Sequence, residues 1–296
     1  MKRKFSQLAK GFIKLTRIEH SLMLVFAVLI GELLSFGSIK NFNLNAITFV
    51  SSLLVPSFLS MSAFAINDYF DYESDRINKR FDRPLVAKII KKDEALMISI
   101  ILFVISLYIS FFLNQIAFAI AFIFGVFSFL YSSTLKDVIF AGHLYVALCM
   151  AVPIIFGGVV AGSLNEKHIF IFSIILFAGL AREIAQSIRD YKGDAIARGS
   201  KNLVHIIGKK KAAFLSFTFY ILAIFLSILV FLLYEPYKFN FIYLVFVGVC
   251  DILLFYVATF SLFNYNKVDF IRKTRNITLE AMFLALLGFF LPLLSS

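Results

Sequence analysis

The stretch Asn67–Pro84, NDYFDYESDRINKRFDRP, concentrates more chemically capable side chains than any other part of the chain. Asp68, Asp71 and Asp75 stand at offsets 0, 3 and 7. On a helix those positions share one face, so the spacing predicts three carboxylates converging on one small volume. Like charges that close disfavour joint ionisation unless a cation sits among them. Oxygen ligands of this type suit Mg2+, which keeps some of its waters and is commonly shared with a substrate phosphate. Arg76, Lys79, Arg80 and Arg83 follow at once and have the chemistry to hold the phosphate oxygens that a metal leaves open. The stretch reads as a diphosphate–magnesium site at the edge of an apolar run. The competing reading is a solvated loop of mixed charge, since loop carboxylates are mostly exposed.

A second stretch, AREIAQSIRDYKGDAIARGSKN, repeats the order of acids followed by bases. Glu183, Ser187, Asp190 and Asp194 fall at offsets 0, 4, 7 and 11, again one helical stripe, and Arg198 and Lys201 come after them. Laid over the first motif with Asp190 on Asp71, it suggests an internal repeat. Glu183 lies inside an apolar span, where an ionisable group is costly and by default functional. A purely structural pairing of Glu183 and Arg182 with neighbouring helices is the alternative. Lys136 is the only basic residue of a short loop, FLYSSTLKD, next to a span end. It either contacts a phosphate, positions an acceptor, or snorkels. Glu32, Asp251 and Glu280 are weaker candidates, because Glu32 and Asp251 sit far from the edge where the motifs emerge.

The elements that must position these residues are helices in a membrane. Of 296 residues, 60% are hydrophobic, and the mean hydropathy of +0.89 excludes an ordinary soluble domain. Nine apolar spans are expected, near Ser21–Phe36, Ala46–Ile66, Ala95–Leu113, Ile116–Ser133, Gly142–Gly162, Ile169–Ser187, Ala212–Tyr234, Phe241–Phe263 and Thr278–Leu294. Asn114 and Gln115 alone divide the third from the fourth. With nine spans, all of the 29 Lys and Arg except Lys40, Lys167 and Lys238 fall on one side. By the positive-inside rule that side is cytoplasmic, which puts the N-terminus inside, the C-terminus outside and both Asp-rich motifs on the inner face.

The net charge of +11 is then mostly topology and contact with anionic headgroups, and it does not argue for nucleic acid. The basic, Phe- and Leu-studded residues 1–20 read as an interfacial helix on the inner face. Cys149 and Cys250 sit singly in apolar spans, and the four His show no ligand spacing to one another. The expected fold class is all-α, one membrane domain over residues 1–296, with its chemistry in the segments 67–93 and 182–211.

Two Asp-rich clusters holding Mg2+, with bases on a diphosphate, promote its departure from an allylic carbon. An apolar bundle rich in aromatics (38 Phe and 12 Tyr) keeps the resulting cation from water.

NDxxDxxxD at Asn67–Asp75 with RPL at Arg83–Leu85, and REI…D…GD at Arg182–Asp194, resemble the signatures of the UbiA superfamily of intramembrane prenyltransferases. The resemblance covers nearly the whole chain. Within it, CDILLF at Cys250–Phe255 and LMLVFAVLIG at Leu22–Gly31 look most like the archaeal digeranylgeranylglyceryl phosphate synthases. This implies a nine-helix bundle around a central cavity, Mg2+ as cofactor, and transfer of geranylgeranyl from its diphosphate to geranylgeranylglyceryl phosphate. It also implies the roles of single residues. Asp68, Asp71 and Asp75 would bind one Mg2+, and Asp190 and Asp194 a second. Asn67, Arg83, Lys136, Lys201 and Arg76 would contact the diphosphate, with Glu183, Arg17 and His20 as further substrate contacts.

Three positions depart from the family pattern. Ser187 stands where an Asp is usual, Arg17-Ile18-Glu19-His20 replaces the common arginine-proline-x-asparagine, and Gly142-His143 replaces Gly-Asn. A glutamate–histidine pair like Glu19-His20 resembles members that prenylate aromatic acids, so an aromatic acceptor is the alternative. A binder of isoprenoid diphosphates without catalysis is the second alternative.

Overall fold

A computed structural model describes residues 5–138, 140–198 and 203–295; the side chains of residues 5, 137, 190–198 and 268–273 lie outside that description. The described residues form α1 (Phe5–Thr16), α2 (Ile18–Phe36), α3 (Ala46–Ile77), α4 (Lys92–Phe111), α5 (Gln115–Ser133) and α6 (Ala141–Val160). They continue with α7 (Glu166–Arg198), the short α8 (Leu203–Ile207), α9 (Lys209–Leu233), α10 (Phe241–Phe263) and α11 (Val268–Ser295), and contain no strand. Among them, nine helices are long and apolar enough to cross a membrane: α2 to α7 and α9 to α11. They match the nine expected spans, with most ends shifted by a few residues, while α3 runs on from the expected Ile66 to Ile77. The doubtful boundary between the third and fourth is a true break, where Asn114 caps α5 by accepting from the Ala117 N–H at 2.8 Å.

Hydrocarbon offers no partner for a backbone N–H or C=O, so a chain this apolar crosses as helices whose peptide groups pair internally. Large side chains such as Ile47, Ile252 and Phe241 are more than two-thirds exposed, as lipid-facing residues are. A span needs about 20 residues, yet α3 has 32 and α7 has 33. Their excess length carries the two acidic stripes beyond the apolar part of each helix.

The chain divides into two compact units, residues 1–25 with 45–136, and residues 26–44 with 137–296. In the first unit α3 and α4 are joined by reciprocal serine bonds: Ser62 Oγ donates to the Ser99 carbonyl at 2.8 Å, and Ser99 Oγ to the Ser62 carbonyl at 2.9 Å. Ser106 Oγ adds a bond to the Val55 carbonyl at 2.9 Å. Lipid tails are as apolar as Leu, so small polar residues do what hydrophobicity does in water.

In the second unit, Gly31 of α2 and Gly157 of α6 meet backbone to backbone; a Cβ on either would collide with the carbonyl of Ile154 or Val28. His168 of α7, fully buried, is held by the Gly31 carbonyl at 2.8 Å and by Asn165 Oδ1 at 3.0 Å. It is a structural tie, as its lack of ligand spacing suggested. Ser216 Oγ of α9 donates to the Ala181 carbonyl of α7 at 2.7 Å. Ser227 Oγ of α9 lies 2.5 Å from Asp251 Oδ2 of α10. Below these ties Ile184, Ile188, Leu203, Val204, Ala212 and Ala213 wedge α8 between α7 and α9.

Candidate active site

α3 does not stop at the end of its apolar run. It continues helically to Ile77, so Asn67, Asp68, Asp71 and Asp75 keep their shared face. Asp68 is buried, with 1% of its side chain exposed. Its Oδ1 accepts from Arg17 Nη2 at 2.7 Å and from Arg83 Nη1 at 3.0 Å. Arg83 Nε also lies 3.7 Å from Asp75 Oδ2. Asp71 Oδ1 accepts from Lys136 Nζ at 2.5 Å, and Asp71 Oδ2 from Asn67 Nδ2 at 3.0 Å.

Three separate segments deliver these cations, two of them distant in sequence. Arg17 sits at the α1–α2 junction with a positive φ of +46°, which turns the chain between the helices. α1 is docked there by buried Leu15 and by Gly11, where a Cβ would come within 2.6 Å of Ile89 Cγ2. The guanidinium of Arg17 also lies over the Phe64 ring, 4.5 Å from its centroid. Arg83 belongs to the 78–91 connection, which is pinned by buried Leu85, Val86 and Ile90 and packs on Leu15, Ala65 and Ala95. Lys136 is carried by the 3-10 turn Leu135–Asp137 that follows α5.

The expected convergence of three carboxylates takes a different form. Among the described residues, no three His, Cys, Asp or Glu side chains are gathered in a way that would hold a metal. Each carboxylate is drawn instead to a cation of the chain, which relieves their mutual repulsion at short range. The donor set nevertheless fits Mg2+: hard oxygens on one helical face, with Asp68 Oδ2 buried and lacking a hydrogen-bond partner. Asp68, Asp71 and Asp75 are the residues that would hold the ion, with Arg17, Arg83 and Lys136 giving up their present contacts.

Other expected contacts lie elsewhere. Arg76 turns to Glu73 at 2.8 Å, both more than half exposed, and does not join the cluster. Arg80 is similarly engaged with exposed Asp82, and those hydrogen bonds hold the Asp82 carboxyl below its usual range. His20 packs its ring on Phe64 at 5.3 Å, beside Arg17. On α7, Glu183 Oε1 accepts from Arg182 Nη1 at 2.8 Å and from Gln186 Nε2 at 3.1 Å. Ser187 Oγ donates back to the Ile184 carbonyl at 2.8 Å, so its hydroxyl serves its own helix. α7 remains helical through positions 190 and 194, but the side chains of Asp190 and Asp194, and all of Lys201, lie outside the described residues.

Residues 24–292 match the model of the UbiA prenyltransferase family. The chain belongs to that family. This UbiA-family chain is 37% identical to the digeranylgeranylglyceryl phosphate synthase of Archaeoglobus fulgidus over 292 residues, covering 97% of both proteins. It is 30% identical to the synthase of the same name from Korarchaeum cryptofilum, over 95% of this chain and 96% of that protein. A solved structure of a digeranylgeranylglyceryl phosphate synthase superposes with a TM-score of 0.77 at 28% identity, covering 98% of this chain and 99% of the other. A UbiA homologue from A. fulgidus solved with GPP and Mg2+ shares the fold, with a TM-score of 0.66 at 20% identity over 97% of this chain and 100% of that one. The protein is a multi-pass membrane prenyltransferase.

Sequence reasoning placed Arg17 among the substrate contacts only by resemblance and did not foresee its link to Asp68. The available signal was its position as the last base before the first span. Lys136, for which contact and snorkelling were both open, lies on Asp71.

Proposed function

We propose that this prenyltransferase moves a geranylgeranyl group from its diphosphate to the glycerol hydroxyl of geranylgeranylglyceryl phosphate, with Mg2+ as cofactor, in archaeal ether-lipid synthesis. Two relatives of 30–37% identity that span almost the whole chain carry the name of that synthase, which supports the acceptor. The observation that carries the chemistry is the buried Asp68, whose second oxygen lacks a partner while its first is held by Arg17 and Arg83.

When bound at Asp68, Asp71 and Asp75, Mg2+ neutralises charge on the leaving diphosphate. Arg83 and Lys136, released from the carboxylates, reach for its outer oxygens, and Asn67 steadies the same group. The C1–O bond breaks and its electron pair leaves with the diphosphate. The allylic cation is then captured by the acceptor oxygen, which forms the new C–O bond and loses its proton late to the departed diphosphate. No dedicated base is required, because an alcohol suffices against such a cation. Asp190 and Asp194 take a second Mg2+ in this reading, with Lys201 as a further phosphate contact and Glu183, Arg17 and His20 lining the substrate path.

The whole of residues 1–296 acts as one membrane domain, with the N-terminus cytoplasmic and the C-terminus outside. The uneven distribution of Lys and Arg supports that orientation.

Diphosphate release by the purified protein, supplied with geranylgeranyl diphosphate and Mg2+, tests the reading. Geranylgeranylglyceryl phosphate and 4-hydroxybenzoate are offered in separate reactions. Release with the glyceryl phosphate alone is expected. Release with the aromatic acid alone moves the protein to quinone-type prenylation and makes Glu19-His20 the acceptor determinant. Binding without release in either case overturns catalysis.

A further inference from the structure

Three basic residues of the first unit, Arg17, Lys79 and Lys88, hold a left-handed backbone, with φ of +46°, +54° and +56°. Glycine takes that conformation without strain, so keeping long basic side chains there points to a use for them. Arg17 is used at Asp68. Lys79 and Lys88, near the two ends of the 78–91 connection, are exposed.

That connection lies against α1. Gly11 abuts Ile89 and Ile90 so closely that a Cβ would collide, and Leu15 packs with Leu85 and Ile90. Asp82 is held below the usual carboxylate range chiefly by Arg80, with Lys14 of α1 contributing, so this part of the connection also stands beside α1.

Going round α1 at about 3.6 residues per turn, docked Gly11 and Leu15 fill one sector, Leu8, Phe12 and Ile13 the next, and Lys10 and Lys14 the third. Leu8, Phe12 and Ile13 are exposed, and so is Phe81 of the connection. One residue separates α1 from membrane-spanning α2, which leaves α1 at the bilayer surface. A docked helix with an apolar strip bordered by Lys is suited to lie in the plane of that surface. Apolar seating alone would accept any headgroup. The charges are more selective: Lys10, Lys14, Lys79, Lys88 and Lys91 are all exposed. The one acid of α1 and the connection, Asp82, is already paired with Arg80. Such a surface complements negative headgroups.

We propose that α1 and the 78–91 connection form one docking surface for anionic lipid headgroups of the surrounding membrane. Leu8, Phe12, Ile13 and Phe81 enter the interface, and the lysines bind headgroup phosphate. Docking also seats the two segments whose arginines hold Asp68, with Arg17 at the end of α1 and Arg83 in the connection. The surface is independent of which acceptor the enzyme prenylates.

The chain has no Trp, so Phe12→Trp and Phe81→Trp each provide a single fluorescent reporter in the full-length protein. Each is placed in nanodiscs of equal phosphatidylcholine and phosphatidylglycerol, with bromine on the acyl chains of one lipid or the other. Brominated phosphatidylglycerol is expected to quench both reporters about twofold more than brominated phosphatidylcholine. In about 1 M salt, where screening acts within about 3 Å, that preference disappears. Lys10→Gln, Lys14→Gln and Lys88→Gln together remove it from the Phe12→Trp protein while leaving overall quenching. Melting temperature checks the folding of every variant, and the comparison of the two brominated lipids needs no charge change.

Equal quenching by the two lipids overturns the anionic selection. A preference at Phe12→Trp without one at Phe81→Trp overturns the shared surface. A preference that survives high salt or the triple change removes the lysines from it. Quenching by aqueous iodide but by neither lipid puts the strip in water. Emission that follows the number of copies per disc, again without lipid quenching, gives it to a second copy. Either result overturns the proposal.

Discussion

The two acidic stripes look alike as strings of residues and behave differently in the fold. On α3, Asp68 and Asp71 are closed by cations that arrive from the α1–α2 junction, the 78–91 connection and the turn after α5. On α7, Glu183 is bonded by Arg182 and Gln186 of its own helix, and Ser187 by its own backbone. The first stripe is thus a long-range assembly, while these bonds of the second stay within α7. An assembly of this kind couples distant segments to one charge, so disturbing it should be felt in both chemistry and stability. A local network should tolerate change.

The largest effect is expected from Asp71→Asn, which keeps the shape and removes a charge. Turnover at saturating Mg2+ should fall about 10²- to 10³-fold, the range typical for one electrostatic contributor. Full turnover would take the first stripe out of the chemistry. Next, Lys136→Met should cost about 10²-fold in turnover, whereas Glu183→Gln on the local stripe should cost less. Equal losses would erase the contrast between the stripes.

Arg17 and Arg83 share Asp68, and so back each other up. Either Arg→Gln change alone should shorten the half-life at elevated temperature modestly, while the double change leaves a buried carboxylate uncompensated, at about 3–5 kcal/mol. Additive single effects would refute the sharing. Ser187→Asp restores the family's usual carboxylate and should lower the Mg2+ concentration needed for half-maximal rate, with little change in kcat.

The smallest effect belongs to Asp82→Asn, at less than about 0.5 kcal/mol, because its pair with Arg80 is exposed and screened. Since folding lowers the Asp82 pKa, its small contribution is present above the ordinary Asp range and lost as pH falls through the folded value. A stability difference between Asp82→Asn and wild type that grows towards lower pH would contradict the pair.

Much of the fold was legible because lipid imposes a one-dimensional rule. A window of about 20 apolar residues has to be a helix, and Asn114 marks its boundary by capping chemistry. The acids were legible from their spacing on one helical face. Their partners were not. Nothing about position 17 or position 136 indicates that those side chains end on Asp68 and Asp71, since the pairing depends on how α1 docks through Gly11 and Leu15 and how the turn after α5 is aimed. Arg76, adjacent to the motif and the last of the four expected phosphate contacts, turns outward to Glu73 because its place on α3 lies off the acidic face.

By itself the sequence determined the solvent, the number of crossings, and the two helices long enough to carry acids past the apolar part of their runs. Each of these follows from local composition and helical period. Tertiary structure alone decided which cations neutralise which carboxylates, and that α1 and the 78–91 connection lie together. Those are contacts between segments far apart in the chain, selected by packing and by the cost of leaving a buried charge or donor without a partner, and no periodicity encodes them.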